Sequence, residues 1–327
     1  METIAVARNA MATRFEIVLH GKNPVALRAA GEEALDEIER VEAQLSLYRP
    51  TSEIAHVNAR AAREAVRVSP GVFRLLQRAQ ELHREGGGYF DITIAPLVRC
   101  WGFMGGSGKM PDRAELEAAR AKVGMHLVEV NADEFTVRFG REGVMLDLGA
   151  IGKGHALERA AEFLREAGIT SAFLHGGTST AYGLGHPPEG EGWKVAVEFP
   201  PRKGPDDRPK YTAAVLLRDK ALSVSAVWGR SFQTEGKNFG HVLDPRTGQP
   251  VAGALLAAVV LPSATETDAL STALLVAGQG GHDAIASLRP AMRTLVMSET
   301  EAGEGFRVTS HGIQVAESEG RDGVKEH

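Results

Sequence analysis

Four segments of the chain combine glycine with reactive side chains in patterns that suit a ligand site. The first, residues 147–155 (DLGAIGKGH), joins a predicted strand to a predicted helix. Such a turn presents backbone N–H groups at the positive end of a helix dipole, and Lys153 adds a positive charge, so it could bind a diphosphate. It is not a Walker A loop, because Asp147 and Gly154 replace that motif's first glycine and its hydroxyl residue. A plain tight turn explains the segment equally well.

The second segment, residues 264–274 (ATETDALSTAL), begins a predicted helix. Asp268 and Thr272 are four residues apart, so they share a helix face and could give two oxygen ligands to one hard cation. A structural alternative is open, because Thr265 and Asp268 are spaced as in a helix cap and Thr272 could simply be packed. Magnesium commonly takes only one or two carboxylates and completes its shell with water and phosphate, so a sparse ligand set suits it.

The third and fourth segments are richer in turns and aromatic rings. In residues 240–250 (GHVLDPRTGQP), most positions are explained by turn formation, whereas His241 could accept a proton near neutral pH or be structural. In residues 88–97 (GYFDITIAPL), followed by Trp101 and Phe103, the rings could stack on a flat heterocycle or fill the core.

The elements that must position these segments are strands and helices without a regular alternation. Asn23-Pro24, Ser69-Pro70 and Pro111-Asp112 each give a helix start. Helices are predicted at 23–47, 69–86, from 111, and at 153–167, 265–278 and 281–289; strands at 13–20, 127–130, 134–139, 144–147, 171–175, 193–199, 211–217, 221–226 and 256–261; and loops at 186–192 and 200–210. We therefore expect an α+β fold, a single compact domain over residues 1–315 with a mostly antiparallel sheet flanked by helices, and a disordered polar tail, 316–327.

Composition excludes several classes of protein. The 327 residues include 37 Lys and Arg against 42 Asp and Glu, a net charge of −5, which does not suit nucleic-acid binding. With 43% hydrophobic and 24% charged residues, general disorder is excluded. The apolar runs fall short of the ~18 residues of a membrane helix, so we expect a cytoplasmic protein, or a periplasmic or membrane-anchored one if an N-terminal signal was removed. The lone Cys100 is expected to be a buried small hydrophobe.

Taken in order, the four segments, with residues 11–15 (MATRF), 45–48 (LSLY), 52–54 (SEI) and Asn58, resemble the ApbE family of FAD:protein FMN transferases. The resemblance runs from about residue 11 to residue 280. It implies a single ApbE-like domain that binds FAD as substrate, with Mg²⁺ on the diphosphate. It also implies transfer of FMN to a Thr or Ser hydroxyl of an acceptor protein, forming a phosphoester-linked flavin and releasing AMP.

The resemblance also implies roles for individual residues. Asp268 and Thr272 correspond to Mg²⁺ ligands, with the backbone carbonyl of Ala150 as a third, and His241 to the catalytic base. The positions that correspond to FAD contacts are Met11, Tyr48, Tyr89, Phe90, Asp91, Asp147 and Lys153.

Three departures from the family pattern leave alternatives open. Ala12 stands where the family usually has glycine, Thr178 where it has Asp or Asn, and Ala226 where it has glycine. A Mg²⁺-dependent FAD hydrolase giving FMN and AMP, or an FAD-binding protein without catalysis, are therefore the alternatives. The chain lacks the acceptor motif associated with the family, so a separate acceptor protein is expected.

Overall fold

The computed structural model describes residues 1–198, 211–229, 231–234, 237–300 and 305–315. The loop predicted at 200–210 and the tail predicted at 316–327 lie outside these ranges. The chain forms two compact units, each assembled from separate segments. The first unit comprises Met1–Glu42, Ile151–Ser225 and Ala254–His327, and the second comprises Ala43–Ala150 and Ala226–Gly253.

The helices are α1 (Pro24–Leu45), α2 (Glu53–Arg60), α3 (Pro70–Glu85), α4 (Ala95–Cys100), α5 (Arg113–Arg120), α6 (Gly152–Glu166) and α7 (Ala264–Ala286) in the described residues. The strands there are β1 (Glu2–Ala10), β2 (Thr13–Gly21), β3 (Val66–Arg67), β4 (Val128–Asn131), β5 (Thr136–Phe139), β6 (Ala172–Gly176), β7 (Thr180–Leu184), β8 (Trp193–Glu198), β9 (Tyr211–Leu217), β10 (Lys220–Ala226), β11 (Ser231–Thr234), β12 (Lys237–Gly240), β13 (Leu256–Leu261), β14 (Arg293–Glu299) and β15 (Phe306–His311).

An eight-stranded sheet organises the first unit, in the order β1-β2-β6-β7-β10-β13-β14-β15. Neighbours from β1 to β10 pair antiparallel, as do β13, β14 and β15. Alternation along β2 buries Phe15, Ile17 and Leu19, because successive side chains of a strand point to opposite faces. The predicted α+β class with a mostly antiparallel sheet is confirmed.

The second unit carries a three-stranded sheet in the order β3-β5-β4 and the hairpin β11-β12. Its core includes Leu97, Trp101 and Phe103, with Cys100 half-buried against them. Trp101 and Phe103 therefore fill the core instead of offering their rings to a ligand. Among the described residues, no helix is long and apolar enough to cross a membrane.

Local sequence signals explain the helix starts. Asn23 accepts hydrogen bonds from the first turn of α1, Ser69 caps α3, and Asp112 forms a capping box with Glu115 at the start of α5. The two predicted late helices are both present within α7, which is interrupted at Gly278 (φ 61°, ψ −160°).

The strand predicted at 144–147 is wrong. The side chain of Asn58 donates to the carbonyl of Leu146 and accepts from its N–H, both at hydrogen-bond distance (2.9 and 2.7 Å). Asp147 N–H donates to the carbonyl of Ile92 (2.7 Å). An amide side chain and a loop thus satisfy backbone groups that a strand would give to its neighbour, although the apolar alternation is that of a strand.

Candidate active site

Asp268 lies in the first unit, where the start of α7 packs against the start of α6. Its side chain is only 5% exposed, and its Oδ2 accepts a hydrogen bond from the N–H of Gly154 (2.9 Å). A Cβ at Gly154 would lie 2.1 Å from the carbonyl oxygen of Ala264 and 2.6 Å from Asp268 Cβ. Position 154 must therefore be glycine for the two helices to come this close. One N–H of the predicted anion-binding turn is thus already bound to a carboxylate.

The capping alternative for Asp268 is wrong. The N-cap of α7 is Ser263, whose hydroxyl accepts from the N–H of Glu266 (3.2 Å). Glu158 on α6 reinforces this start, since its Oε2 accepts from Ser263 Oγ (2.9 Å) and from Thr265 N–H (2.7 Å). Asp268 is therefore not needed to begin the helix.

A group of hydroxyls lies beside Asp268. Ser225, near the end of β10, places its Oγ 2.8 Å from Ser271 Oγ and 3.2 Å from Thr272 Oγ1. Thr272 Oγ1 is in turn 3.5 Å from the backbone carbonyl oxygen of Asp268. Sequence spacing predicted that Asp268 and Thr272 lie on one helix face. It could not predict the contact between Ser225 and Thr272, because these residues are 47 apart in the chain.

The oxygen atoms of this group suit a hard cation as ligands. In the described part of the chain, Oδ1 of Asp268 accepts no hydrogen bond, so it retains lone pairs for a further partner. Hydroxyl and carboxylate oxygens are the ligand types that Mg²⁺ prefers. No group of three or more His, Cys, Asp or Glu side chains arranged for a metal occurs among the described residues, so any metal here would need few protein carboxylates.

His155 lies one turn into α6, with its Nδ1 3.4 Å from the hydroxyl of Thr265. Burial, reinforced by the positive charge of Arg159, lowers its pKa to about 4, against the opposing effect of Glu37. His155 is therefore neutral at physiological pH. Sequence reasoning gave it no role.

Met11 and Ala12 form the two-residue turn between β1 and β2. Both have positive φ, 48° and 59°, and Met11 N–H donates to Glu42 Oε1 (2.8 Å). Positive φ at both central positions is the geometry of a type I′ turn, for which glycine and asparagine are preferred. The departure at Ala12 therefore falls where a Cβ is conformationally unfavourable.

The other two departures from the family pattern, Thr178 and Ala226, lie in different structural environments. Thr178 is exposed in the turn between β6 and β7, which Gly177 makes possible with φ +61° and no space for a Cβ beside Thr13. Ala226 ends β10 and is not among the residues with positive φ in the described chain. An alanine is thus accommodated at 226 without backbone strain.

In the second unit, Tyr89 is half-buried beneath a cation. The guanidinium carbon of Arg246 lies 3.7 Å from the centroid of the Tyr89 ring. Asp244 accepts from Arg246 Nε (3.0 Å) and Nη2 (2.8 Å), which fixes the guanidinium and raises its pKa. One face of Tyr89 is therefore occupied by a cation–π contact. Arg246 was not predicted, although Asp-Pro-Arg in a turn is a visible signal.

Phe90 and Asp91 are largely enclosed. Phe90 is 1% exposed, so its ring belongs to the core. Asp91 Oδ1 accepts from the N–H (2.7 Å) and hydroxyl (2.6 Å) of Thr93, and its Oδ2 lies 3.3 Å from His83 Nδ1. The Asp91 carboxylate therefore stabilises the conformation of its own loop.

Three more of the predicted site residues, Asp147, Ala150 and Tyr48, also lie in the second unit. Asp147 Oδ1 accepts from Gly149 N–H (2.8 Å), a turn formed by its own side chain. Ala150 is half-buried, and Tyr48 is 62% exposed in the turn after α1. A ring exposed to this extent is available to stack on a flat ligand.

His241 follows β12 in the second unit and is half-buried. Its ring packs edge-to-face against Phe103, with centroids 6.5 Å apart. One side of the imidazole is therefore in an apolar environment.

The profile of the ApbE family matches residues 11–296. The chain belongs to the ApbE family. It is similar to a Rhodobacter capsulatus protein named FAD:protein FMN transferase, with 34% identity over 233 residues, which are 70% of this chain and 43% of that protein. A Klebsiella pneumoniae protein of the same name is 28% identical over 86% of this chain and 79% of its own length.

Solved ApbE structures share the fold. The Thermotoga maritima ApbE protein superposes with a TM-score of 0.82 at 26% identity, covering 94% of this chain and 96% of that one. The Pseudomonas stutzeri flavinyl transferase ApbE, in its apo form, gives 0.80 at 26% identity and 95% coverage of both chains. The predicted ApbE membership is therefore confirmed.

Within this ApbE chain, the predicted site residues fall into two groups. In the first unit, Asp268 and Thr272 come together, Lys153 is half-buried in the first turn of α6, and Met11 lies in the β1-β2 turn. The second unit holds the others, which are Tyr48, Tyr89, Phe90, Asp91, Asp147, Ala150 and His241.

Proposed function

We propose that this chain is a Mg²⁺-dependent FAD:protein FMN transferase, which moves FMN from FAD to a Thr or Ser hydroxyl of an acceptor protein and releases AMP. The observation that carries the proposal is the buried carboxylate of Asp268, fixed through one oxygen by Gly154 N–H and with the other oxygen uncommitted among the described residues. The names of its ApbE relatives support the choice of reaction.

The protein groups that would hold Mg²⁺ are the Asp268 carboxylate, the Thr272 hydroxyl and, from the family resemblance, the Ala150 carbonyl. Bound by these groups, Mg²⁺ would offset the negative charge that builds on phosphate oxygens during attack at phosphorus. Lys153 adds a positive charge at the start of α6, where the helix dipole also favours an anion.

In the proposed reaction, the acceptor hydroxyl oxygen forms a bond to the phosphorus on the FMN side of the diphosphate. The phosphorus–oxygen bond to AMP breaks, and AMP leaves with the electron pair. His241 takes the proton of the hydroxyl as the new bond forms. General-base assistance of this kind is typically worth ~10²–10⁴-fold in rate, so loss of His241 should be less damaging than loss of the metal.

The test is to incubate the protein with FAD, Mg²⁺ and an acceptor domain that carries a flavinylation threonine. We expect the acceptor to gain the mass of one FMN, in step with release of AMP, and we expect chelation of Mg²⁺ to stop both. Replacing the acceptor threonine by alanine is the matched control. AMP and free FMN without a mass gain would identify a hydrolase, and FAD binding with neither product would identify a binding protein.

His241→Asn tests the proposed role of His241 as a base separately from FAD binding. We expect transfer to slow by ~10²–10⁴-fold while FAD binding, followed by flavin fluorescence, is retained. His126→Asn, at an exposed position of the same unit, should leave the rate unchanged. An unaffected rate in His241→Asn would remove this residue from the mechanism.

A further inference from the structure

An open cavity lined largely by charged side chains lies in the first unit, away from the hydroxyl cluster around Ser225. It measures about 580 Å³ and is lined by Glu191, Leu216, Arg218, Lys220 and Arg293. Lys220 begins β10 and Ser225 is five residues further along it. At ~3.3 Å per residue these positions are about 16 Å apart along the strand. The cavity is therefore distinct from the Asp268 and Thr272 group.

The charge of this cavity is unbalanced. Three of its five lining residues are cations and one is a carboxylate. In the described part of the chain, Arg218, Lys220 and Arg293 form no salt bridge, with Glu191 or with any other acid. Asp219, between the first two in sequence, accepts instead from Gly185 N–H (3.1 Å) and lies 3.6 Å from Arg165.

Arg293 is the best-fixed of the three cations. Its Nη2 donates to the carbonyl of Leu216 (3.1 Å), and its aliphatic stem fills the space that a Cβ at Gly312 would need. Its Nε is buried without a hydrogen-bond partner among the described residues, and burial lowers the pKa of the guanidinium. A partly desolvated cation without a counter-charge is unfavourable unless an anion is supplied.

We propose that this cavity binds a phosphate-type oxyanion, held by the exposed Arg218, the half-buried Lys220 and the fixed guanidinium of Arg293. Several donors that converge from different elements suit an anion with several oxygens better than they suit a carboxylate. A volume of this size is within the range of small-molecule sites. The proposal does not depend on the transfer reaction, because its readout is stability without FAD.

The experiment compares thermal unfolding in inorganic phosphate with unfolding in chloride at the same ionic strength. Binding to the folded chain should give a saturable rise in Tm, on the order of 2 °C at ten times the apparent Kd. Sodium acetate is the carboxylate control and should give a smaller rise. An equal rise in acetate would overturn the assignment to phosphate.

Variants locate the effect. Arg218→Ser combined with Lys220→Ser should abolish the rise specific to phosphate, whereas Lys22→Ser combined with Arg28→Ser makes the same charge change at exposed positions of the same unit and should retain it. Glu191→Gln removes the opposing carboxylate and should lower the apparent Kd several-fold. An unchanged response in the first pair of substitutions, or an equal loss in the control pair, would overturn the proposal even if FMN transfer is confirmed.

Discussion

At the scale of single residues, Asp268 has a structural role in the fold and a proposed role as a metal ligand. Its Oδ2 is used by Gly154 N–H, whereas its Oδ1 has no hydrogen-bond donor among the described residues. An asparagine at this position could keep the first contact through its amide oxygen but would lose the negative charge. The two roles can therefore be separated by one conservative substitution.

Asp268→Asn should reduce Mg²⁺-dependent AMP release by on the order of 10²-fold or more, because a neutral amide is a poor ligand for a hard cation. The rate should be measured over a range of Mg²⁺ concentrations, with Tm recorded to check that the fold is kept. Asp283→Asn, at a fully exposed position of the same helix, removes the same charge and should have no effect. Equal rates in wild type and Asp268→Asn would exclude this carboxylate as a metal ligand.

Ala12 is a residue whose conformation is unfavourable in the folded state. Its φ of 59° lies in the left-handed region, where a Cβ is disfavoured and glycine is not. Ala12→Gly should raise the free energy of unfolding by roughly 0.5–1 kcal/mol, measured by urea titration. Ala7→Gly, at an exposed strand position, should instead lower it, and stabilisation by both changes would show that turn geometry is not the cause.

At the scale of elements, the contact between α6 and α7 positions the candidate metal ligands. Gly154 is the point of closest approach, since a Cβ there would collide with the Ala264 carbonyl and with Asp268. The added methyl group must push the helices apart or displace Asp268 from its hydrogen bond. This outweighs the better intrinsic helix propensity of alanine.

Gly154→Ala should therefore lower the free energy of unfolding by about 1–3 kcal/mol and weaken Mg²⁺-dependent turnover at the same time. Gly280→Ala, in the partner helix α7 with nothing within 4 Å of the added Cβ, should be neutral or slightly stabilising. Chemical denaturation of both variants checks the first effect, and Mg²⁺ titration of activity the second. A fully stable and active Gly154→Ala would contradict the helix contact described above.

Elements were predictable from sequence where local chemistry decides them. Cap residues such as Ser69 and Asp112 bond to backbone groups only a few residues further along the chain. The sequence alone therefore shows where these helices begin. The conformation of residues 144–147 could not be predicted in this way. Their backbone partner is the side chain of Asn58, 88 residues distant from Leu146, and alternation alone does not reveal such a partner.

The candidate site was predictable to a similar degree. Asp268 and Thr272 share a helix face, which their spacing gives directly. Their surroundings come from distant segments, since Gly154 is 114 residues from Asp268 and Ser225 is 47 from Thr272. Pattern reasoning therefore identified the two proposed ligands on one helix, while the groups that fix them required the structure.

At the scale of the whole molecule, the two units are built from segments that alternate along the chain. Residues 226–253 return to the unit formed by residues 43–150, so neither unit is continuous. A boundary without a polar linker leaves no compositional signal. Sequence analysis therefore gave the α+β class and the sheet but not the division into two units.

The stability of the molecule should depend on pH through His155. Its pKa is about 4 in the folded chain and about 6.5 in an unfolded one. Between these values the unfolded state binds a proton that the folded state does not, so stability should fall as pH decreases from about 6.5 to 4 and should not change further through this residue below 4. The whole effect is at most about 3 kcal/mol.

His155→Gln should remove this part of the pH dependence, because glutamine cannot titrate. The free energy of unfolding, measured by urea titration at intervals from pH 7 to pH 4, should fall less steeply in the variant than in wild type, whatever its value at pH 7. His311→Gln, at an exposed position on β15, controls for the loss of an imidazole and should follow the wild-type slope. Parallel slopes in wild type and His155→Gln would mean that His155 becomes protonated in the folded state, against the effect of its burial.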